Sequence, residues 1–259
     1  MNIKSLLVPI VIIFTSFFLF PFYFTFMPGI NTKMILAAIG LAILLFKLGI
    51  NGKGFISKDF FVVSICALGV SFASLLSMTI NDTSDGAYLS YIVTMWVWVG
   101  AAYCVTQMIK AVHGKVNADL ICYYMITVGV LQCLLAIAID TVPTIKGVVD
   151  SFLAGEGFMG KANGRLYGLG CALDVAGGRF AVLLVMIAFL IPRMYNHGYH
   201  DVYISILLIA FCVISVIGNM IGRTASVGMV IGLLYMLFVA FTKQIHDKQS
   251  RRKYIGILS

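Results

Sequence analysis

The chain has 259 residues, 61% of them hydrophobic and only 11% charged, with mean hydropathy +1.03. A soluble domain carries about one quarter charged residues, and no soluble fold hides this much apolar surface, so a soluble all-α domain gives way to an integral membrane protein. The balance is basic, 18 Lys and Arg against 10 Asp and Glu; in a membrane chain that reads as topology, and with no aromatic-interleaved basic patch or zinc-finger spacing no nucleic acid is expected as a partner.

A span needs about 20 apolar residues. In chain order the predicted spans are about 6–28, 34–50, 60–80, 87–109, 120–139, 172–192, 202–221 and 224–242. They make residues 1–259 a single transmembrane domain, an all-α polytopic bundle of about eight helices. The first run follows Lys4, is too long for the apolar part of a cleavable signal and lacks a small-residue cleavage site, so it reads as a span. The second is short, and Lys47 near its end snorkels to the interface. Cys66, Cys104, Cys122, Cys133, Cys171 and Cys212 form no C-x-x-C pair and mostly lie in apolar runs. They read as small buried hydrophobes, with neither a disulfide framework nor a zinc site.

Lys and Arg set the orientation. With the N-terminus cytoplasmic, the inner side holds twelve: Lys4, Lys47, Lys53, Lys58, Lys110, Lys115, Arg193, Lys243, Lys248, Arg251, Arg252 and Lys253. The outer side holds six: Lys33, Lys146, Lys161, Arg165, Arg179 and Arg223. The outer loop "NDTSDG" is acidic, which agrees. Three of the outer cations are arginine, whose planar fork grips phosphate or carboxylate with two bonds, whereas topology alone needs only charge.

The longest connection, 140–171, is an extracytoplasmic loop in this reading. Its "GEGFMG" (155–160) matches G-x-G-x-x-G, but no strand precedes it and no βαβ unit follows, so a hinge or turn is expected rather than a dinucleotide site. Gly218-x-x-x-Gly222 and Gly228-x-x-x-Gly232 read as helix-packing faces. His113, His197, His200 and His246 fall on the cytoplasmic side, and His197 with His200 lacks a third ligand, so no metal is expected. The segment 243–259 is basic and cytoplasmic. Its end, "YIGILS", reads as the start of a further span, which makes the chain the front part of a longer protein.

Two stretches carry the chemistry. In "RLYGLGCALDVAGGRF" (165–180), the apolar run Phe180–Ile191 supplies only about 18 Å of helix. The hydrocarbon layer is about 30 Å, so the helix must recruit residues back to Cys171 or Ala172. Asp174 and Arg179 then sit at or below the outer headgroup boundary, where an ionisable group costs roughly 2–3 kcal/mol unless it is paired or faces a polar cleft. They are five residues apart and do not share a helix face, and Gly177 and Gly178 between them are expected to break or widen the turn. In "GNMIGRTASVG" (218–228), Arg223 sits at an outer turn, and Thr224 or Ser226 is expected to cap the following helix. The predicted sixth and eighth spans both point their N-termini, the positive end of the helix dipole, at the outer face. With Arg165, Arg179 and Arg223 they form a predicted anion site over greasy helices. Such a site suits an amphiphile with an anionic head and a long tail, a lipid-linked diphosphate sugar above all. The plainer account is that each arginine snorkels to lipid phosphate, and that Asp174 is a structural partner for an arginine.

"GRLYGLGCALDVAGGRFAVLLVMIAFLI" and "SVIGNMIGRTASVGMVIGLLYMLF" together resemble the O-antigen ligase and O-antigen polymerase superfamily, especially forms in Bacteroidota. The family pattern is an Arg then Gly before one helix, matched by Arg165 and Gly168, and a second Arg in a Thr/Ser-rich turn, matched by Arg223 and Thr224. The diagnostic match covers about residues 164–240. The resemblance implies a C-type membrane glycosyltransferase fold in the bacterial inner membrane. The enzyme would polymerise or transfer undecaprenyl-diphosphate-linked O-antigen or another surface polysaccharide on the periplasmic face. The acceptor would be a glycan or lipid A core, with no cofactor and no metal. By resemblance Arg165, Arg179 and Arg223 hold the donor diphosphate, while Asp174 orients an arginine or takes the acceptor proton. Two departures stand out: "CALDVAGG" replaces an Asn-Pro-Asn-like stretch found in many relatives, and the late periplasmic histidine of ligases has no counterpart here. The alternative readings are a flippase or exporter of lipid-linked oligosaccharide, and a structural membrane subunit.

Overall fold

The computed structural model describes residues 3–51, 58–84, 86, 88–153, 164–242, 252, 255 and 256. The glycine pattern at 155–160, and nearly all of the basic segment 243–259 with the further span expected there, lie outside the described residues. The described elements are α1 (Ile3–Leu19), β1 (Tyr23–Phe24), β2 (Met27–Asn31), α2 (Thr32–Asn51), α3 (Lys58–Asn81), α4 (Tyr91–His113), α5 (Ala118–Thr141), α6 (Pro143–Phe152), α7 (Leu173–Asn196), α8 (Asp201–Ile221) and α9 (Ala225–Phe241). Six helices, α2 to α5 with α7 and α8, are long and apolar enough to cross a membrane, and the apolar parts of α1 and α9 are shorter. The chain is therefore a multi-pass, all-α membrane protein. Large apolar side chains such as Phe72, Ile80, Ile209 and Val216 stand on outward faces, as a lipid solvent requires.

The first predicted span, 6–28, is not one helix. α1 stops at Leu19, and the chain turns into the antiparallel β1–β2 hairpin. Pro21 cannot donate to a helical carbonyl and biases the residue before it away from the helix. The following Phe-Tyr-Phe-Thr-Phe run favours extended chain. Thr32 closes the hairpin's base: its hydroxyl donates to the Phe17 carbonyl at 3.1 Å and accepts from the Phe22 N–H at 3.3 Å.

The connection predicted as a loop over 140–171 contains a second departure, the helix α6. Pro143 begins it, since proline's fixed φ suits the first helical position, where no amide donor is needed. α6 buries Val149 and exposes Val148 and Phe152. Its end pairs with the hairpin: the Thr25 N–H donates to the Phe152 carbonyl at 3.0 Å, and the Thr25 hydroxyl to the Ser151 carbonyl at 2.9 Å.

Two apolar cores share α1 and α5. One packs α7, α8 and α9 around Phe180, Leu183, Leu184 and Ile187, all with no exposed surface. The other packs α2 and α4 around Leu36, Ala101 and Cys104. Glycines set the closest approaches. Gly40 meets the Gly100 backbone between α2 and α4, and Gly228 meets the Ala181 backbone between α7 and α9, so a Cβ at either glycine would overlap main chain. The end of the bundle away from the hairpin holds an ion pair between α5 and α7, Arg193 Nε to Asp119 Oδ2 at 3.3 Å.

Candidate anion-binding site

Just before α7 the sequence reads Gly168-Leu169-Gly170-Cys171-Ala172. The Gly168 N–H donates to the Cys171 carbonyl at 2.7 Å, and the Cys171 N–H returns a bond to the Gly168 carbonyl at 3.3 Å. Gly170 takes φ +66 against the Phe20 and Pro21 backbone, a place that tolerates neither a side chain nor the strain one would bring. Leu169 is bound on both sides by Gln132 of α5. Its N–H donates to Gln132 Oε1 at 3.0 Å, and its carbonyl accepts from Gln132 Nε2 at 3.1 Å. Nε2 also donates to the Ser16 hydroxyl of α1 at 3.0 Å. Cys171 and Ala172 are fully enclosed.

This segment is non-helical chain folded into the bundle. In a hydrocarbon layer that is tolerated only where protein satisfies the backbone, which is what Gln132 does. α7 begins beside it at Leu173, a non-glycine residue at φ +54, an unfavourable left-handed conformation held by its surroundings. The Leu173 carbonyl and Gly177 back directly onto Gly222, the residue before Arg223. The expected break at Gly177 and Gly178 does not occur. α7 is continuous from Leu173 to Asn196, and Gly177 serves the close approach to Gly222 instead.

These contacts place Arg165, Arg179 and Arg223 at the hairpin end of the bundle. Arg165 is half-buried, just after Gly164 at φ +78. Arg179 is half-buried in the second turn of α7, its guanidinium 5.6 Å from the centre of the Phe20 ring. Arg223 is exposed in the turn between α8 and α9. Neither expected cap forms: Thr224 stands at the cap position without a side-chain bond, and the Ser226 hydroxyl donates back to the Arg223 carbonyl at 2.7 Å. Asp174 is exposed in the first turn of α7. Among the described residues no carboxylate pairs with Arg165, Arg179 or Arg223, so the expected service of Asp174 to an arginine is not seen as an ion pair.

The rise from Arg193 back to Arg179 along α7 is about 21 Å. That is less than the thickness of a hydrocarbon layer, about 30 Å. One further cation belongs to this end, and the sequence reading used it only for topology. Lys33, in the first turn of α2, is 8% exposed, with Nζ 3.5 Å from the centre of the Trp98 ring. It lies within Coulombic range of Arg179. Lys33 and Arg179 are thus each backed by an aromatic ring and lie within Coulombic range of one another.

Tyr167 ties this region to α6, its hydroxyl donating to Asp150 Oδ1 at 3.0 Å. Burial, then that bond and the charges of Asp150 and Asp140, push the phenol up to about 12. His197 and His200 are exposed at the opposite end, and among the described residues no group of three His, Cys, Asp or Glu converges as metal ligands would.

Fold and site define a multi-pass helical membrane protein with cations at one end that pair with no carboxylate among the described residues. Compared with known proteins, the chain matches no protein-family model, and no curated protein or solved structure is significantly similar to it.

Proposed function

We propose that the protein is an inner-membrane glycosyltransferase that polymerises or transfers undecaprenyl-diphosphate-linked glycan, with the hairpin end facing the periplasm. The observation that carries the reading is Arg179, half-buried in the second turn of α7, with no carboxylate partner among the described residues. A half-buried guanidinium in a membrane helix is costly unless an anion or water meets it. The first turn of α7 also abuts the turn bearing Arg223, so two arginine-bearing elements converge on one helix start.

In the proposed reaction an acceptor hydroxyl attacks the anomeric carbon of the donor sugar. The new C–O bond forms as the bond to the lipid diphosphate breaks, and the diphosphate leaves with the electron pair. Arg165, Arg179 and Arg223 stabilise the charge that develops on it. In this reading Asp174, exposed at the same helix start, takes the hydroxyl proton. The acceptor is a growing glycan or lipid A core, and the chemistry calls on no cofactor.

Arg223→Ala is expected to abolish long-chain surface glycan while protein level stays unchanged, and Arg223→Lys is expected to fail as well, because a lysine lacks the fork. An unchanged glycan ladder on a gel refutes the proposal. A second reading is a flippase for the same lipid, drawing on the non-helical segment Gly168–Cys171 folded against α5 just before α7. Loss of the gene separates the two: lipid-linked units gather in the outer leaflet for a transferase and in the inner leaflet for a flippase.

A further inference from the structure

We infer that Lys33 and Arg179 form a two-cation receptor for a doubly charged phosphate group carried on a lipid. Three observations lead there. Lys33 is more than nine-tenths buried, yet among the described residues its ammonium meets no carboxylate and no hydrogen-bond acceptor, only the face of Trp98. Arg179 likewise has no carboxylate partner among the described residues and lies 5.6 Å from the centre of the Phe20 ring, and the two cations stand within Coulombic range of each other. The other end of the same helix is an internal control. There the exposed arginine of α7, Arg193, is neutralised by Asp119 at 3.3 Å. Carboxylate pairing therefore appears where water already screens the charge and is missing where burial makes it most needed.

Aromatic faces explain how the cations wait without a ligand. Trp98, beneath Lys33, packs edge-on against Phe18 of α1, while Phe20, just past the end of α1, packs against Phe180 and faces Arg179. Each ring offers its negative face to a cation, but neither uses up the hydrogen-bond donors. Lysine gives three N–H groups and arginine five, so the pair has donors for a diphosphate or phosphomonoester. Two fixed positive charges match a dianion. A phosphodiester headgroup, with one negative charge, leaves half of the site uncompensated.

The inference rests on the glycosyltransferase reading only for the lipid's identity; the receptor stands or falls by direct binding. The test uses the full chain in phosphatidylcholine nanodiscs, with radiolabelled farnesyl diphosphate as the lipid diphosphate and, in a Trp96→Phe background, tryptophan fluorescence as the reporter at Trp98. Saturable binding with a fluorescence change is expected in the unmodified protein. Lys33→Met and Arg179→Met are each expected to weaken it at least tenfold, and Lys33→Arg to restore most of it, at unchanged melting temperature. No binding to the unmodified protein overturns the inference without recourse to any variant. So does wild-type affinity in Lys33→Met, or equal competition by phosphatidylglycerol, which makes the site an ordinary headgroup contact. Equal competition by inorganic diphosphate overturns the lipid-borne source. A normal glycan ladder in Arg223→Ala alongside tight farnesyl diphosphate binding removes the transferase and leaves the receptor, whereas the reverse pattern removes the receptor alone.

Discussion

Gln132 is 4% exposed in the middle of an apolar helix, and its three polar contacts all fasten neighbouring segments to the site: Leu169 twice and Ser16 once. Gln132→Leu keeps the volume but strands the part-buried Leu169 N–H and carbonyl. Each orphaned group costs about 1–3 kcal/mol, less where water has partial access, so the variant should lose about 2–4 kcal/mol. The loss is read as a fall in melting temperature in detergent, and an unchanged value contradicts the clamp. Residues of this kind explain what single-residue reading catches. Asp174 and Arg179 stand out because a charge in a greasy run has an obvious cost. Gln132 is a neutral amide among apolar neighbours, and Lys33 opens a helix as any topological lysine does; their importance comes from partners 37 and 146 positions away along the chain.

At the scale of elements, α6 is held by two attachments, the hairpin at its end and Tyr167 at Asp150. The Tyr167 bond needs the protonated phenol. Its folded value, about 12, lies above the ordinary value of 10, so the stabilisation is complete below pH 10 and is lost as pH rises towards 12. Proteolysis within α6 should accelerate across that window, and Tyr167→Phe should show the faster rate already at neutral pH, with no further rise attributable to this bond. Equal rates in the two proteins at all pH values would show that the hairpin alone docks α6. Neither α6 nor the end of α1 is read correctly by hydropathy. The run 6–28 is uniformly apolar, and only Pro21 and the aromatic alternation after it tell a span from a helix followed by a hairpin. α6 is too short and too polar to register as a span, although Pro143 at its start is a recognisable signal. The later helices are legible because loop residues and apolar blocks alternate there cleanly.

For the whole molecule, the proposed orientation, read from the distribution of Lys and Arg, has the hairpin end outside the cytoplasm. Thr83→Cys, exposed in the connection after α3, is then expected to react with a membrane-impermeant maleimide in intact cells. His197→Cys, exposed at the other end, should react only after lysis. The opposite pattern inverts the topology and removes the periplasmic reading with it. The lengths of the outermost helices have a consequence for the bilayer itself. α1 and α9 have 17 residues each and rise only about 25 Å, against a hydrocarbon layer of about 30 Å. α1 leads to Phe20 and α9 follows Arg223, so each short helix meets the hairpin end beside a cation-bearing segment. A bilayer that thins to match them brings its phosphates nearer to Arg179.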